Sequence, residues 1–124
     1  MSDEKKPANM SNVWIKVAGI SGAIAVTVGA LGAHALVKKE DSMKEIWKTA
    51  SQYHFIHTLA LGLSAQYFVG KKRTYVCGLF TAGMVLFCGA CYGIVILNQK
   101  KPLNYAAPFG GTFMILGWLA FAFM

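Results

Sequence analysis

Three histidines are the side chains in this sequence whose type and position best suit chemistry. His34, His54 and His57 lie inside long stretches that contain no Asp, Glu, Lys or Arg. No other residue type in those stretches changes charge near neutral pH. If the first two stretches cross a membrane as an antiparallel helix hairpin, the three imidazoles come to the same membrane face. Ionisable residues inside a membrane are rare, so these three deserve a functional hypothesis.

Neutral imidazole is a common ligand of metals and haem, and it can also relay protons. A ligating histidine is normally oriented by a second partner such as a carboxylate, but the five acidic residues all lie in the N-terminal tail or between positions 40 and 45. We therefore predict that His34, His54 and His57 form hydrogen bonds that join the first two helices, and that the protein holds no cofactor. A haem or metal site, and proton or solute handling, are the alternatives.

Cysteine offers a second possible chemistry. Cys88 and Cys91 form a C-x-x-C pair, the spacing found in thiol-exchange motifs. The pair lies near the middle of an apolar stretch, where no base favours the thiolate, and Cys77 lies upstream on nearly the same helical stripe. We predict that these cysteines are structural. The sequence also lacks a serine–histidine–acid set, a phosphate-binding loop and a carboxylate pair, so we expect no enzymatic activity.

The distribution of charge predicts the elements that carry these residues. Of 124 residues, 56% are apolar and only 12 are basic and 5 acidic, a composition that excludes an ordinary soluble domain and a disordered chain. Uncharged runs cover residues 17–37, 49–70, 74–99 and 102–124, and they contain 21, 22, 26 and 23 residues. A helix needs about 20 residues to cross a hydrocarbon core of roughly 30 Å. Each run is therefore long enough to span a bilayer.

The sequence thus predicts an all-α membrane protein with four transmembrane helices in a compact antiparallel bundle. We expect a polar N-terminal tail over residues 1–12 and a transmembrane domain over residues 13–124. The predicted spans are about 14–37, 49–70, 74–98 and 105–124. Five aromatic residues near the ends of the runs suit rings at headgroup level; they are Trp14, Trp47, Tyr67, Tyr75 and Tyr105.

The connections between the spans carry their own signals. Ser42 and Glu45 have the spacing of a capping box, which predicts a helix that begins at about residue 43 in the membrane interface and continues into the second span. An ordinary solvated loop is the alternative. Residues 70–73, Gly-Lys-Lys-Arg, predict a tight hairpin. Pro108 suits the first turn of the fourth helix or else a kink within it, and we favour the first.

Small residues at intervals of three and four predict where helices approach closely. In the first span we expect Gly22, Gly29 and Gly32 to have this role. In the third span the expected packing residues form two small-x-x-x-small pairs, which are Gly78 with Ala82 and Gly89 with Gly93.

The net charge of +7 does not indicate nucleic acid as a partner. The basic residues cluster at the ends of the spans, where they meet lipid headgroups, and no nucleic-acid motif accompanies them. With four spans, six Lys and Arg residues fall on each side of the membrane, so the positive-inside rule favours neither orientation.

Several segments resemble the transmembrane protein 256 family of small four-span proteins, which has bacterial relatives of unknown function. The similarity covers the chain from about residue 13 to the C-terminus and is most specific in the last block. The blocks that carry it are Gly29–His34, Tyr53–Ala60, Ala82–Tyr92, Ala107–Thr112 and Leu116–Ala120. The family-motif positions are His34, His54, His57, Pro108, Gly110, Gly111 and Trp118, and the resemblance implies no catalytic role for any of them.

The resemblance implies a compact membrane protein, and eukaryotic members of the family are thought to be mitochondrial. We expect an accessory subunit or assembly component of a larger inner-membrane complex of the respiratory chain. Its expected partners are membrane lipids and other membrane subunits, with a bacterial-type plasma membrane as the alternative location. A redox or transport module built on the histidines is the alternative function.

Overall fold

The computed structural model describes residues 10–124, so most of the predicted tail lies outside the described residues. Regular structure in this range is helical, as the sequence predicts. It consists of α1 (Met10–Ala35), α2 (Asp41–Tyr67), α3 (Gly70–Leu97), a short 3-10 helix (Leu103–Tyr105) and α4 (Ala106–Phe123). Three segments are long and apolar enough to cross a membrane, namely Val13–Ala35, Gly70–Leu97 and Leu103–Phe123.

Helix α2 is continuous from the charged connection to its end, but the predicted capping box is wrong. The N-cap is Glu40, which makes no side-chain capping hydrogen bond. Its carbonyl oxygen accepts from the backbone N–H groups of Met43 and Lys44, at 3.0 and 3.1 Å. Ser42 therefore lies inside the first turn, where its hydroxyl no longer has the cap position. The negative charge of Asp41 suits the positive end of the helix dipole.

The predicted hairpin at residues 70–73 is also wrong. Helix α2 ends at Tyr67 and α3 begins at Gly70, so only two residues connect them. Gly70 has φ +63°, a left-handed conformation that glycine adopts without strain. The sharp turn is thus completed at this glycine, and the three basic residues enter the first turn of α3. Arg73 Nε donates to the Phe68 carbonyl at 2.8 Å, which fastens the connection.

The connection from α3 to α4 follows the sequence prediction more closely. Asn98 ends α3 in the left-handed conformation, with φ 53° and ψ 41°, a role that asparagine tolerates well. The 3-10 helix then leads directly into α4. Pro108 is the third residue of α4, within the first turn, where the missing N–H has no partner to lose. The prediction that Pro108 lies in the first turn of the fourth helix is confirmed.

Neighbouring helices contact one another in chain order. Helix α1 packs on α2, α2 on α3, and α3 on α4. Between α1 and α2, Trp47 Nε1 donates to the Val28 carbonyl at 3.0 Å, and a Cβ placed on Gly22 would lie 3.7 Å from Thr58. Between α3 and α4, a Cβ placed on Gly117 would lie 2.8 Å from the ring of Phe80.

Close approach occurs at some of the predicted glycines and not at others. Gly32 lies against the Trp47 indole, where a Cβ would overlap the ring, and Gly93 lies against Leu103. Gly78 and Gly89 have open space around them, so their predicted packing role is wrong within the chain. Helix α3 meets α4 instead on the face of Gly83, where a Cβ would come within 2.6 Å of Met114.

Trp47 packs inside the protein and does not present its ring to lipid headgroups, the role that its position near a run end suggests. Its side chain is only 8% exposed, and its ring lies 4.7 Å from that of Tyr92. The glycine at position 32 makes room for the indole, and the Val28 carbonyl satisfies its N–H. Trp47 is therefore a core residue that joins α1, α2 and α3.

Candidate functional site

His54 is the centre of a buried chain of polar side chains that joins three helices. Its Nδ1 lies 3.1 Å from the Tyr92 hydroxyl of α3, and its Nε2 lies 3.1 Å from the Ser21 hydroxyl of α1. Ser21 in turn lies 2.6 Å from the Thr58 hydroxyl, one turn along α2. Thr58 donates to the sulfur of Met84 at 3.6 Å. A single imidazole thus ties α1, α2 and α3 together.

One pattern of donors and acceptors satisfies this whole chain. The Met84 thioether can only accept, and the hydroxyls of Thr58 and Ser21 lie 3.6 and 3.8 Å from it, with either hydroxyl able to donate to the other. When Ser21 donates to Thr58 or to Met84, it accepts from Nε2–H of His54, and Nδ1 accepts from the Tyr92 hydroxyl. A neutral imidazole therefore satisfies every member, as buried polar groups require.

His57 joins α2 to α4 through a different set of partners. Its Nε2 accepts from the Trp118 indole N–H at 3.0 Å, and its Nδ1 lies 2.8 Å from the Tyr53 carbonyl oxygen. Indole N–H can only donate and a carbonyl can only accept. The proton of His57 must therefore be on Nδ1. Phe80 and Trp118 enclose the ring edge-on, each with a centroid distance of 5.8 Å.

His34 does not join the other two histidines. It is an exposed residue in the last turn of α1, whereas His54 and His57 are buried at 8% and 4% exposure. The expectation that all three bridge the first two helices is wrong for His34, and His57 bridges to α4 instead. Residue spacing predicts how far along its helix each histidine lies. The rotation of each helix about its axis decides which side chains face inward.

The buried histidines are arranged for hydrogen bonding rather than for ligation. Both ring nitrogens of His54 and both of His57 have protein partners. Among the described residues, no group of three or more His, Cys, Asp or Glu side chains could hold a metal ion. A metal or haem iron at either ring would have to displace one of the hydrogen bonds just described.

The cysteines lie within the helix packing. Cys77, Cys88 and Cys91 are free and buried, and Cys88 Sγ donates to the Ala50 carbonyl of α2 at 3.4 Å. Cys77 Sγ approaches the Leu61 carbonyl at 4.0 Å. Two of the three thiols thus face α2, as small residues at a helix interface do.

The sequence does not single out four side chains of the His54 network, namely Ser21 and Tyr92, which contact the imidazole, and Thr58 and Met84, which continue the chain from Ser21. One signal for Thr58 is present, because it follows His54 by four residues and so shares its helix face. The other three lie on different helices. The sequence marks Trp118 only as a family-motif position, and its hydrogen bond to His57 supplies a physical reason for the residue.

These features define a class of protein. Membrane-length apolar helices, joined by buried histidine hydrogen bonds and connected by short charged segments, make this a multi-pass helical membrane protein. A family model described as a protein of unknown function (DUF423) matches residues 28–111. The chain belongs to this family of small membrane proteins, whose members are also called UPF0382 and occur in bacteria and eukaryotes. This agrees with the resemblance to the transmembrane protein 256 family.

Relatives match along most of their length. The UPF0382 membrane protein YwdK of Bacillus subtilis is 36% identical, and the match covers 86% of this chain and 90% of the relative. A UPF0382 membrane protein of Schizosaccharomyces pombe is 33% identical, with coverage of 86% and 94%. The UPF0382 inner membrane protein YgdD of Escherichia coli is 37% identical, with coverage of 87% and 85%. No solved structure matches the chain.

Proposed function

We propose that this protein is a non-catalytic, four-span component of a larger membrane assembly, acting as an accessory subunit or assembly component. The proposal has three steps: that α2 crosses the membrane, that the helices form an antiparallel bundle, and that α1 presents a face to a partner.

The crossing of α2 depends on where its polar residues lie. Residues 49–67 carry no Asp, Glu, Lys or Arg, and at 1.5 Å per residue they extend about 28 Å, close to the hydrocarbon thickness. This stretch is less apolar than the other spans because it contains His54, His57, Thr58 and Ser64, but all four are buried in the protein. Neighbouring helices thus shield them from lipid, while large apolar residues such as Leu59 and Leu63 face outward.

The antiparallel arrangement is supported by the order of contacts. Along α1, the residues that meet Trp47, Thr58 and Gly62 are Gly32, Gly22 and Ala18, so the numbers fall on one helix as they rise on the other. The α3–α4 contacts run the same way, since Gly83 meets Met114 and Gly93 meets Leu103. Short connections between long helices favour this arrangement.

The observation that carries the functional proposal is the uncovered face of α1. Gly19, Ala23, Thr27 and Ala30 follow one another at helical spacing and are exposed, and a Cβ on Gly19 would meet nothing within 4 Å. Small residues on a lipid-facing helix allow another backbone to approach closely. A stripe of this kind, left uncovered within the chain, suits a helix of a partner subunit.

The membrane that holds this assembly is part of the proposal. We propose the mitochondrial inner membrane, with a respiratory-chain complex as the partner, on the basis of the family resemblance. A bacterial-type plasma membrane is the alternative, and it is supported by the Escherichia coli relative, which is named an inner membrane protein.

Native gel electrophoresis of membranes solubilised in mild detergent tests the proposal. We expect the wild-type chain of 13.4 kDa to migrate with a much larger assembly. Replacing both Gly19 and Ala23 with leucine should release it from that assembly without lowering its amount, because the added side chains block close approach. Ile24→Leu, which conserves volume on an exposed part of the same helix, is the control. Migration of the wild type as a monomer, or retention of the double variant, would contradict the proposal.

A further inference from the structure

A cleft of about 600 Å³ opens between the end of α1 and the beginning of α2. Its α1 wall includes Gly29 and Ala33, which add little side-chain bulk to the floor, and Gly32, against which the Trp47 indole packs. On the α2 side it is lined in sequence order by Lys44, Trp47, Lys48, Ser51, Gln52 and Phe55. The cleft is separate from the buried histidine network described above.

The two ends of this cleft differ in chemistry. Lys44 and Lys48 lie one turn apart on α2, and both are exposed. Lys48 is the last charged residue before the uncharged run of α2. From Lys44 to Phe55 the helix rises roughly 16 Å. The cleft therefore leads from paired cations at headgroup level to an apolar floor beside Gly29 at acyl-chain level.

The other charged residues near the lysine end of the cleft do not make its lining negative. Glu40, Asp41 and Glu45 belong to the same connection and first turn, but none of them lines the cleft. Lys39 turns away from it, because its Nζ donates to the Val95 carbonyl of α3 at 3.1 Å. The lining contains two cations and no anion.

We propose that this cleft binds one anionic phospholipid. Its phosphate lies between Lys44 and Lys48, which act as point charges on it. Ser51 and Gln52, one turn deeper, offer hydrogen bonds to the glycerol and ester oxygens. One acyl chain lies in the open groove over Gly29, Ala33 and Phe55. A zwitterionic lipid carries its own cation beside the phosphate, so the paired lysines favour a lipid with net negative charge.

Native mass spectrometry of the purified full-length chain tests this with dioleoyl phosphatidylglycerol and dioleoyl phosphatidylcholine, which share the same acyl chains. We expect one molecule of phosphatidylglycerol to bind in preference to phosphatidylcholine. Lys44→Gln and Lys48→Gln should each weaken its binding about fivefold, the usual effect of one basic residue near anionic lipid. The control is the double variant Lys100→Gln with Lys101→Gln. Both lysines are exposed and follow the end of α3. Lys39 contacts that same end of α3, so the control pair lies at the same end of the helices as the cleft. It should leave binding unchanged.

A second pair of variants tests the acyl half of the cleft. A Cβ on Gly29 would have only ordinary contacts, at 3.6 Å to Ser51 and 3.9 Å to Phe55, so Gly29→Leu fills the cleft without overlapping backbone. We expect it to weaken binding of both lipids. Gly78→Leu, on a glycine of α3 with nothing within 4 Å, should have no effect. Circular dichroism establishes that each variant is folded.

Three outcomes would overturn the proposal. They are equal binding of the two lipids by the wild type, an equal loss in the Lys100 and Lys101 control, and displacement of bound phosphatidylglycerol by millimolar glycerol 3-phosphate. The last would assign the lysines to a soluble phosphate compound instead. Because the lysine variants alter only exposed side chains, they decide the matter even if Gly29→Leu fails to fold.

Discussion

At the residue scale, the two buried histidines show how hydrogen-bond chemistry sets the state of an imidazole. His57 lies between a group that only donates and a group that only accepts, which leaves one tautomer. Protonation would place a second N–H against the indole N–H of Trp118. The structure therefore needs His57 neutral, and the residue works as a fixed connector between α2 and α4.

Removing the indole donor should expose this role. We expect Trp118→Phe to lower the free energy of unfolding in detergent by about 0.6 kcal/mol and by no more than about 1.7 kcal/mol, the average and the maximum measured for polar contacts between membrane helices. Trp14→Phe is a matched control, because the Trp14 N–H is buried without a hydrogen-bond partner. Equal losses in the two variants, measured by unfolding in mixed micelles, would show that the bond to His57 contributes nothing.

His54 and His34 form a second contrast. His54→Leu should lower the stability by about 1 to 2 kcal/mol, because it leaves the hydroxyls of Ser21 and Tyr92 without their partner. His34→Leu should have a much smaller effect, since His34 is exposed at the end of α1. A haem or metal signal in the purified wild type that disappears in His54→Leu, with the helices still assembled, would instead favour a cofactor site.

The sequence predicts that the buried histidines form hydrogen bonds between helices, but it does not predict which residues they bond to. Buried imidazoles inside apolar runs must be satisfied, which is why interhelical hydrogen bonds were expected. Ser21, Tyr92 and Trp118 could not be assigned as partners, because each depends on the rotation of a different helix. The same uncertainty explains why His34 was grouped wrongly with the other two.

At the element scale, glycine spacing indicates close approach but not the face on which it occurs. Two small-residue stripes in α3 were identified, yet α4 packs against Gly83, which lies between them. The contact is decided by the partner helix, where Gly110 lies directly over the backbone of Phe87. A repeat on one helix cannot show which of its faces another helix will cover.

Adjacent glycines in α4 allow a sharp test of this packing. A Cβ at Gly110 would overlap the backbone of Phe87, whereas one at Gly111 would meet nothing within 4 Å. We expect Gly110→Ala to destabilise the protein by about 1 to 3 kcal/mol through overpacking. Gly111→Ala should be neutral or slightly stabilising, because alanine favours the helix. The same detergent unfolding measurement compares them, and the reverse order would contradict the α3–α4 interface.

Some helix boundaries can be predicted from the conformational preferences of single residues. Others depend on where the backbone reverses direction, which the sequence does not show. Asn98 and Pro108 have conformational preferences strong enough to mark the end of α3 and the first turn of α4. The basic residues at 71–73 resemble a loop by composition, yet they extend α3, because the reversal is completed at Gly70. Charge alone does not separate a loop from the first turn of a helix.

At the scale of the whole molecule, the spacing of charges was enough to predict four helices, because long uncharged runs leave few other structures. The proposed membrane crossing of α2 does not rest on composition alone. Its polar residues make it the least apolar of the four helices, and only burial against α1, α3 and α4 makes it suitable for the bilayer. Helix α2 packs on α1 and α3 and is linked to α4 by the hydrogen bond between His57 and Trp118.

The location of the two chain ends tests this account most directly, because an even number of crossings returns the chain to its starting side. Reporter fusions at the N-terminus and at the C-terminus, read out by activity on one side of the membrane only, give the answer in intact membranes. If α2 crosses with the other three helices, both reporters must lie on the same side. Reporters on opposite sides would mean that the chain crosses three times, and that α2 lies outside the bilayer.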